Sequence, residues 1–225
     1  MTYDKTYKEI KDVFGSEPVE ILKRYYQQID KTKPVLDIGA GQGRNSYFLA
    51  KAGYTVDAID PSRISIETIN EITKRENYKI NACQQSFDEF SYRNNPYSAI
   101  LVFGLLQILD LKSIRLLKSL IDKNTTDGSL VFITAFSIKD ASFKKYEKEW
   151  NKAGRNSFCD DKGNYRTYFE IDEIIKLFDS YKILHQWEGL GRKHRHGNSP
   201  IEQHSMIELV MERDIIKTPV LKPIG

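Results

Sequence analysis

One stretch constrains this chain more than any other: PVLDIGAGQGRNSYFLAKAGYTVDAIDPS, from Pro34 to Ser62. Val35, Leu36 and Ile38 form a short apolar run that ends in a glycine-rich turn. NSYFLAKAG follows with Phe48 and Leu49 as its apolar positions and Gly53 placed to stop a helix. TVDAID reads as a second strand that closes on Asp60. Strand, glycine turn, helix, then a strand ending in an acid is the first half of a nucleotide-binding α/β unit. Glycines let the backbone take left-handed angles and approach a ligand closely. A carboxylate at Asp60 is placed to accept hydrogen bonds from both hydroxyls of a ribose.

The spacing separates two kinds of ligand. A dinucleotide fingerprint, G-x-G-x-x-G, needs glycine at position 44, where this chain has Arg44. The glycines are Gly39, Gly41 and Gly43, and an acid, Asp37, stands two residues before them. That D-x-G-x-G-x-G pattern resembles motif I of the class I S-adenosylmethionine-dependent methyltransferases. The resemblance implies a cofactor, S-adenosyl-L-methionine, whose lack of a pyrophosphate removes the need for the third dinucleotide glycine. It implies that Asp37 and the turn Gly39, Ala40, Gly41, Gly43, with Arg44 and Asn45 behind it, hold the methionine end, and that Asp60 and Pro61 lie at the ribose. Many members carry an acid and an apolar residue against the adenine; Ser86 and Phe87 occupy that place here. The implied fold is Rossmann-like, a doubly wound and mostly parallel seven-stranded sheet whose last strand runs antiparallel beside the fifth. Two other readings remain open from the residues alone: a nucleotide-dependent oxidoreductase on a similar fold, and a non-catalytic cofactor-binding regulator.

The string GQGRNSYFLAKAGYTVDAID is similar in particular to the small tellurite-resistance methyltransferases. Members of that family carry a His-Arg pair between the last two strands, which falls on His194 and Arg195. A further arginine of the family falls near Glu202, where this chain departs from the pattern.

At 225 residues the chain is expected to hold one domain with a full core. Its net charge of +3, spread along helices among acids, does not make the basic face that nucleic acid requires. Cys83 and Cys159 fit no zinc or redox spacing. No apolar run approaches a membrane span and the N-terminus lacks a signal-like stretch, so the expected setting is cytoplasmic, with a small-molecule partner and no nucleic acid or membrane. The oligomeric state is not legible.

Along the chain, residues 1–33 form an expected helical flap. VEILKRYYQQI reads as one helix, and the family resemblance implies that Tyr7 and Phe14 lie over the cofactor. Residues 34–213 make the main domain. Ser62 is placed to cap ISIETINEITKRE, with Ile64, Ile66, Ile69 and Ile72 toward the sheet. SAILVFGLLQIL is a buried strand, and ligands lie outside the carboxyl ends of such strands, so Phe103 to Gln107 should border the reacting centre. SLVFITAF, after a turn at Asp127 and Gly128, is the fifth strand. Residues 137–166 are polar and charged, with FKKYEKEW as a short helix and the remainder as loop, a segment of the length expected of a lid. The segment 214–225 is an expected tail.

The acceptor chemistry points to the closing segment GRKHRHGNSPIEQHS, which holds three of the four histidines, His194, His196 and His204, with Arg192 and Arg195. A sulfonium methyl is already activated, so the protein must place a nucleophile in line with it and keep water away. An anionic acceptor calls for a cation and a protonated one for a base near neutral pKa, and histidine serves either need. His194 and Arg195 are therefore the candidate catalytic residues; a metal set is not expected, since no cysteine or close acid completes a tetrahedron.

Overall fold

The computed structural model describes residues 4–10, 12–193 and 201–215. Strands β1 (Val35–Ile38), β2 (Val56–Asp60), β3 (Ile80–Gln84), β4 (Tyr97–Phe103), β5 (Thr125–Phe136), β9 (Tyr181–Leu190) and β10 (Ser205–Arg213) form one sheet. Their order is β3-β2-β1-β4-β5-β10-β9. β10 runs antiparallel to both β5 and β9, while the first five strands pair in parallel. This is the expected doubly wound sheet with its last strand inserted beside the fifth.

β1 and β2 are buried at every position because helices cover both faces of the sheet. On one face, Ile114, Leu117 and Ile121 of α5 (Leu111–Asn124) and Ile174 of α7 (Ile171–Leu177) pack on Leu36, Ile100 and Val131. On the other, Ile21 and Leu22 of α2 (Glu20–Tyr25) and Leu49 of α3 (Arg44–Lys51) pack on Val35, Leu101 and Phe132. α4 (Arg63–Glu76) joins that face through Ile66 and Ile69; Ile64 and Ile72 are only half-buried. Side chains alternate along a strand, so Asp37, Asp60, Phe103, Thr134 and Phe136 all belong to the face carrying α2 and α3.

The caps follow the sequence. Ser62 Oγ accepts from Ser65 N at the start of α4, and Asp110 Oδ1 accepts from Ser113 N at the start of α5. Glu170 and Glu173 form a reciprocal capping box on α7. Among the described residues no helix is long and apolar enough to cross a membrane.

Three elements differ from expectation. VEILKRYYQQI is not one helix: α2 gives way to a 3-10 turn at Tyr26–Gln28, where the Tyr54 hydroxyl donates to the Tyr26 carbonyl at 2.6 Å. β5 begins before Asp127, so Asp127 and Gly128 form an irregularity within the strand. Tyr97 pairs with Thr125 but Ala99 with Leu130, and Ser129 closes the gap by donating to the Tyr97 carbonyl. The third difference lies after β5. Following α6 (Phe143–Glu149), the chain forms a small antiparallel sheet of β6 (Asn151–Gly154), β7 (Ser157–Cys159) and β8 (Tyr165–Thr167) in place of a loop. Its turns have their own chemistry. Asn156 takes the left-handed conformation between β6 and β7, and Asp160 accepts the amides of Lys162 and Asn164 between β7 and β8. The strands are too short for alternation to reveal them.

Candidate active site

The carboxyl ends of β1 and β2 carry the two acids. Asp37 is buried and its Oδ2 accepts from the Ser46 hydroxyl at 2.6 Å. Asp60 is also buried; Oδ2 accepts from Gly41 N and Oδ1 from Ser62 N, both at 2.9 Å. The amides of Gly39 and Ala40 donate to the Ile59 carbonyl, so the glycine turn is stitched to the end of β2. Gly41 has φ +54°, the left-handed region that favours glycine, and a Cβ there would come within 3.2 Å of the Tyr7 hydroxyl.

Burial raises both carboxyls. Asp37 is pushed up to about 6, against the opposing effects of the Ser46 hydroxyl and Arg44 and with help from Asp60. Asp60 is raised by burial and held back by the Ser62 and Gly41 amides. Two buried acids with raised pKa on one face suit a ligand that brings a positive charge. Each carboxylate oxygen can take two donors, so Asp60 keeps acceptor sites beyond its two amides.

Arg44 and Asn45 bond to the N-terminal segment. Arg44 Nη1 donates to the carbonyls of Phe14 and Glu17, and Asn45 Oδ1 accepts from Val19 N at 2.9 Å. Gln42 bridges in the same direction, accepting from Val13 N and donating to the Ile10 carbonyl. At its other end the N-terminal segment is held by Asp4, which accepts from the Ser62 hydroxyl at 2.5 Å and from Ile64 N. Tyr7, on α1 (Asp4–Glu9), is buried against Gly41, while Phe14 is 43% exposed. Side chains of motif I and β2's end thus strap residues 4–19 over the turn. Gln42, on this segment, and Ser46, on Asp37, are residues that spacing alone did not single out.

Pro61 follows Asp60, and its carbonyl lies 3.5 Å from Gln84 Nε2. Ser86 caps a turn of its own: its hydroxyl donates to Glu89 Oε2 and its carbonyl receives the Glu89 and Phe90 amides. Phe87 is buried in the core and Phe103 packs edge-on to Phe132. Beyond Phe103, Gly104 N donates to Thr134 Oγ1, and Leu105 lies 3.7 Å from where a Gly39 Cβ would be. The loop after β4 therefore joins the glycine turn to the end of β5. Gln107 is buried there with Oε1 lacking a protein partner.

The excursion sits beside this loop. Thr167 Oγ1 of β8 donates to the Leu109 carbonyl at 2.7 Å, and Phe143, Phe158 and Tyr168 form an aromatic cluster beneath α6. From the closing segment, Arg192 pairs with Glu20 of α2 at 2.8 Å. His194, Arg195 and His196 lie outside the described residues. His204 is described: Nδ1 lies 3.2 Å from Asp140 Oδ2 and the ring packs on Phe136.

A family model described as tellurite resistance protein TehB matches residues 16–198. The chain belongs to the TehB family. By family and fold it is of the class I S-adenosylmethionine-dependent methyltransferase type, and the expected resemblance in motif I is met. A curated relative from Haemophilus influenzae, named "Probable S-adenosyl-L-methionine-dependent methyltransferase TehB", is 27% identical over 130 residues, covering 52% of this chain and 45% of that protein. The chain thus spans about half the length of the curated relatives it matches first. The crystal structure of TehB from Haemophilus influenzae superposes with a TM-score of 0.68 at 19% identity, over 88% of this chain and 63% of that one. A Burkholderia thailandensis 1,6-didemethyltoxoflavin-N1-methyltransferase, solved with S-adenosylhomocysteine bound, superposes with a TM-score of 0.60 at 13% identity, over 86% and 75%. At those identities the two structures share the fold. S-Adenosylmethionine is the cofactor of this TehB type, and the paired buried acids beside the glycine turn fit it.

Proposed function

We propose that the chain transfers a methyl group from S-adenosylmethionine to a small-molecule acceptor. The observation that carries the reading is the pair Asp37 and Asp60, buried on one face at adjoining strand ends and bridged by the glycine turn. When bound, the cofactor supplies a methyl on a sulfonium, already activated toward a nucleophile in line with it.

In this reading Asp37 holds the α-ammonium, Asp60 accepts from the ribose hydroxyls, and Phe87 and the backbone at Ser86 border the adenine. Arg44, Asn45 and Gln42 hold the N-terminal segment as a flap, so closure over the cofactor depends on motif I side chains. The excursion at 137–166 acts as a lid that keeps water out and selects the acceptor. His194 and Arg195, which lie outside the described residues, are the residues proposed for the acceptor, His194 as base or cationic anchor and Arg195 as the holder of an anionic group.

The test pairs calorimetry with S-adenosylhomocysteine and a methyl-transfer assay against tellurite, which the family's description names, a small thiol and a phenol. Binding with turnover of at least one is the expected result. Binding without any turnover makes the chain a cofactor-binding regulator, and failure to bind removes the reading altogether.

A further inference from the structure

The loop after β4 holds a buried amide that the protein itself leaves unpaired. Gln107 sits in the 3-10 turn Leu106–Ile108 and is 9% exposed. Its Oε1 is closed off without a partner, and among the described residues its Nε2 makes no hydrogen bond either. The turn that carries it is well held. Leu106 is part of the core, Leu105 and Leu109 pack against the same cluster, and the Ile108 amide donates to the Leu105 carbonyl. A buried amide without a partner destabilises a fold, so its retention in a firmly held turn calls for a reason.

Direct contacts tie this amide to the cofactor turn. Nε2 stands 3.4 Å from where a Cβ of Gly104 would be, and Gly104, at φ +68°, carries none. The next residue, Leu105, lies 3.7 Å from the Cβ position of Gly39, the first glycine of motif I. On the other side, Gly104 N donates to Thr134 Oγ1 at the end of β5. The turn also packs on β8, where Thr167 Oγ1 donates to the Leu109 carbonyl. Gln107 thus stands where the β4 loop passes between the glycine turn, the end of β5 and the excursion. Ligands lie outside the carboxyl ends of such strands. With the methionine end assigned to Asp37 and the turn, the group left for this amide is the methyl acceptor.

The surroundings narrow its chemistry. Thr134, Thr167 and the leucines of the loop are uncharged, and the one ionisable side chain between Gly104 and the start of α5 is an acid, Asp110. A carboxamide offers donors at nitrogen and lone pairs at oxygen, and half a turn about its last bond exchanges the two. A hydroxyl is likewise both donor and acceptor, so it satisfies the amide in either sense. A thiol does so weakly, and an oxyanion without hydrogen can do so only at the nitrogen.

We propose that Gln107 is a specificity-determining residue of the methyl-transfer site: its carboxamide hydrogen-bonds the acceptor, and the group it selects is an uncharged hydroxyl, as in a phenol. The proposal rests on the methyltransferase reading above and names the substrate class of that site. A carboxamide has no proton to exchange near neutral pH, so the role is one of binding and orientation. A site built to hydrogen-bond a hydroxyl discriminates against analogues lacking it, because its own buried polar group is then left unpaired. A purely structural role in the turn makes the opposite prediction for stability, since removing the amide would then weaken the fold.

The experiment compares wild type with Gln107→Met, which keeps the unbranched length and removes the amide. Catechol is the hydroxyl probe, with dithiothreitol and tellurite beside it; S-adenosylhomocysteine affinity and Tm are measured for both proteins. We expect kcat/KM with catechol to fall about ten- to a hundredfold in Gln107→Met. S-Adenosylhomocysteine affinity should be unchanged, and Tm unchanged or raised, because an unpaired buried amide is lost. A second measurement needs no turnover. In isotope-labelled wild type saturated with S-adenosylhomocysteine, catechol should shift the side-chain NH2 resonances that Gln107→Met removes. Unshifted resonances overturn the proposal, as does wild-type kcat/KM with catechol in the variant. A lowered Tm without a kinetic loss makes the amide structural, and a matching loss of S-adenosylhomocysteine affinity moves it to the cofactor; either result overturns the proposal. Wild-type preference for dithiothreitol or tellurite over catechol overturns the hydroxyl class. Failure of the wild type to bind S-adenosylhomocysteine, by contrast, removes the methyltransferase reading itself.

Discussion

At the scale of single residues, the buried acids have different partners and so make different predictions. Asp60→Ala should weaken S-adenosylhomocysteine binding at least tenfold, because it removes charge-assisted hydrogen bonds worth about 1.5–3 kcal/mol. Unchanged affinity in calorimetry would remove Asp60 from the site. Asp37 adds a pH dependence. Its pKa is raised from 3.8 to about 6, so the apoprotein binds an extra proton between those values. Its contribution to stability is therefore present at low pH and lost as pH rises through 6. A cationic ligand acts in the opposite sense, since it needs the ionised form. Affinity should be about tenfold weaker at pH 5 than at pH 7, with a proton released on binding at pH 6. Flat affinity across that range would mean that Asp37 does not hold the ammonium. Asp57 is a third buried acid, on the opposite face, and it is already paired. Arg93 Nη2 reaches its Oδ1 at 2.6 Å and the Tyr97 hydroxyl its Oδ2 at 2.9 Å. Arg93→Ala should cost on the order of 2 kcal/mol, read as a lowered urea midpoint, since the carboxylate keeps only part of its shell.

At the scale of elements, the start of α3 depends on a backbone that a side chain would spoil. Gly43 caps the helix at φ +87°, and a Cβ there would come within 2.7 Å of the Tyr47 ring and 2.9 Å of Ile69. Gly53, at φ +91°, has nothing within 4 Å. Both alanine variants carry backbone strain of about 1–3 kcal/mol, so the steric part is their difference. Gly43→Ala should lower Tm further than Gly53→Ala and displace the cofactor turn; equal losses would mean that Tyr47 and Ile69 move aside freely. The excursion is an element with its own hydrogen-bonded sheet, attached to the domain through Thr167 and Leu109. Amide exchange in 137–166 should slow when cofactor product and acceptor bind together. No change would make it a passive connector.

At the scale of the whole molecule, both core layers close without the first residues: the large apolar cluster on one face begins at Ile21, that on the other at Leu36, and neither contains Tyr7 or Val13. Removing residues 1–16 should therefore leave the sheet folded by circular dichroism while speeding release of S-adenosylhomocysteine; loss of the fold would make this segment part of the core. The same division separates what was legible from what was not. The β1–turn–α3–β2 unit, its two acids and the cap at Ser62 could be read directly, because apolar runs, glycine spacing and capping are local properties of the chain. The sheet order and the antiparallel last strand came with the family resemblance, since no local pattern encodes which strands pair. The small sheet after β5 escaped because three- and four-residue strands carry no readable period. Arg44 and Asn45 stand inside the motif, yet their side chains serve the N-terminal segment, a choice made by what packs beside α3. The His204–Asp140 pair depends most on tertiary structure. Its members lie 64 residues apart and meet only because β10 enters the sheet beside β5. The sequence by itself determined a nucleotide-type half-sheet with its two acids; the pairing of distant strand ends decided which other side chains face them.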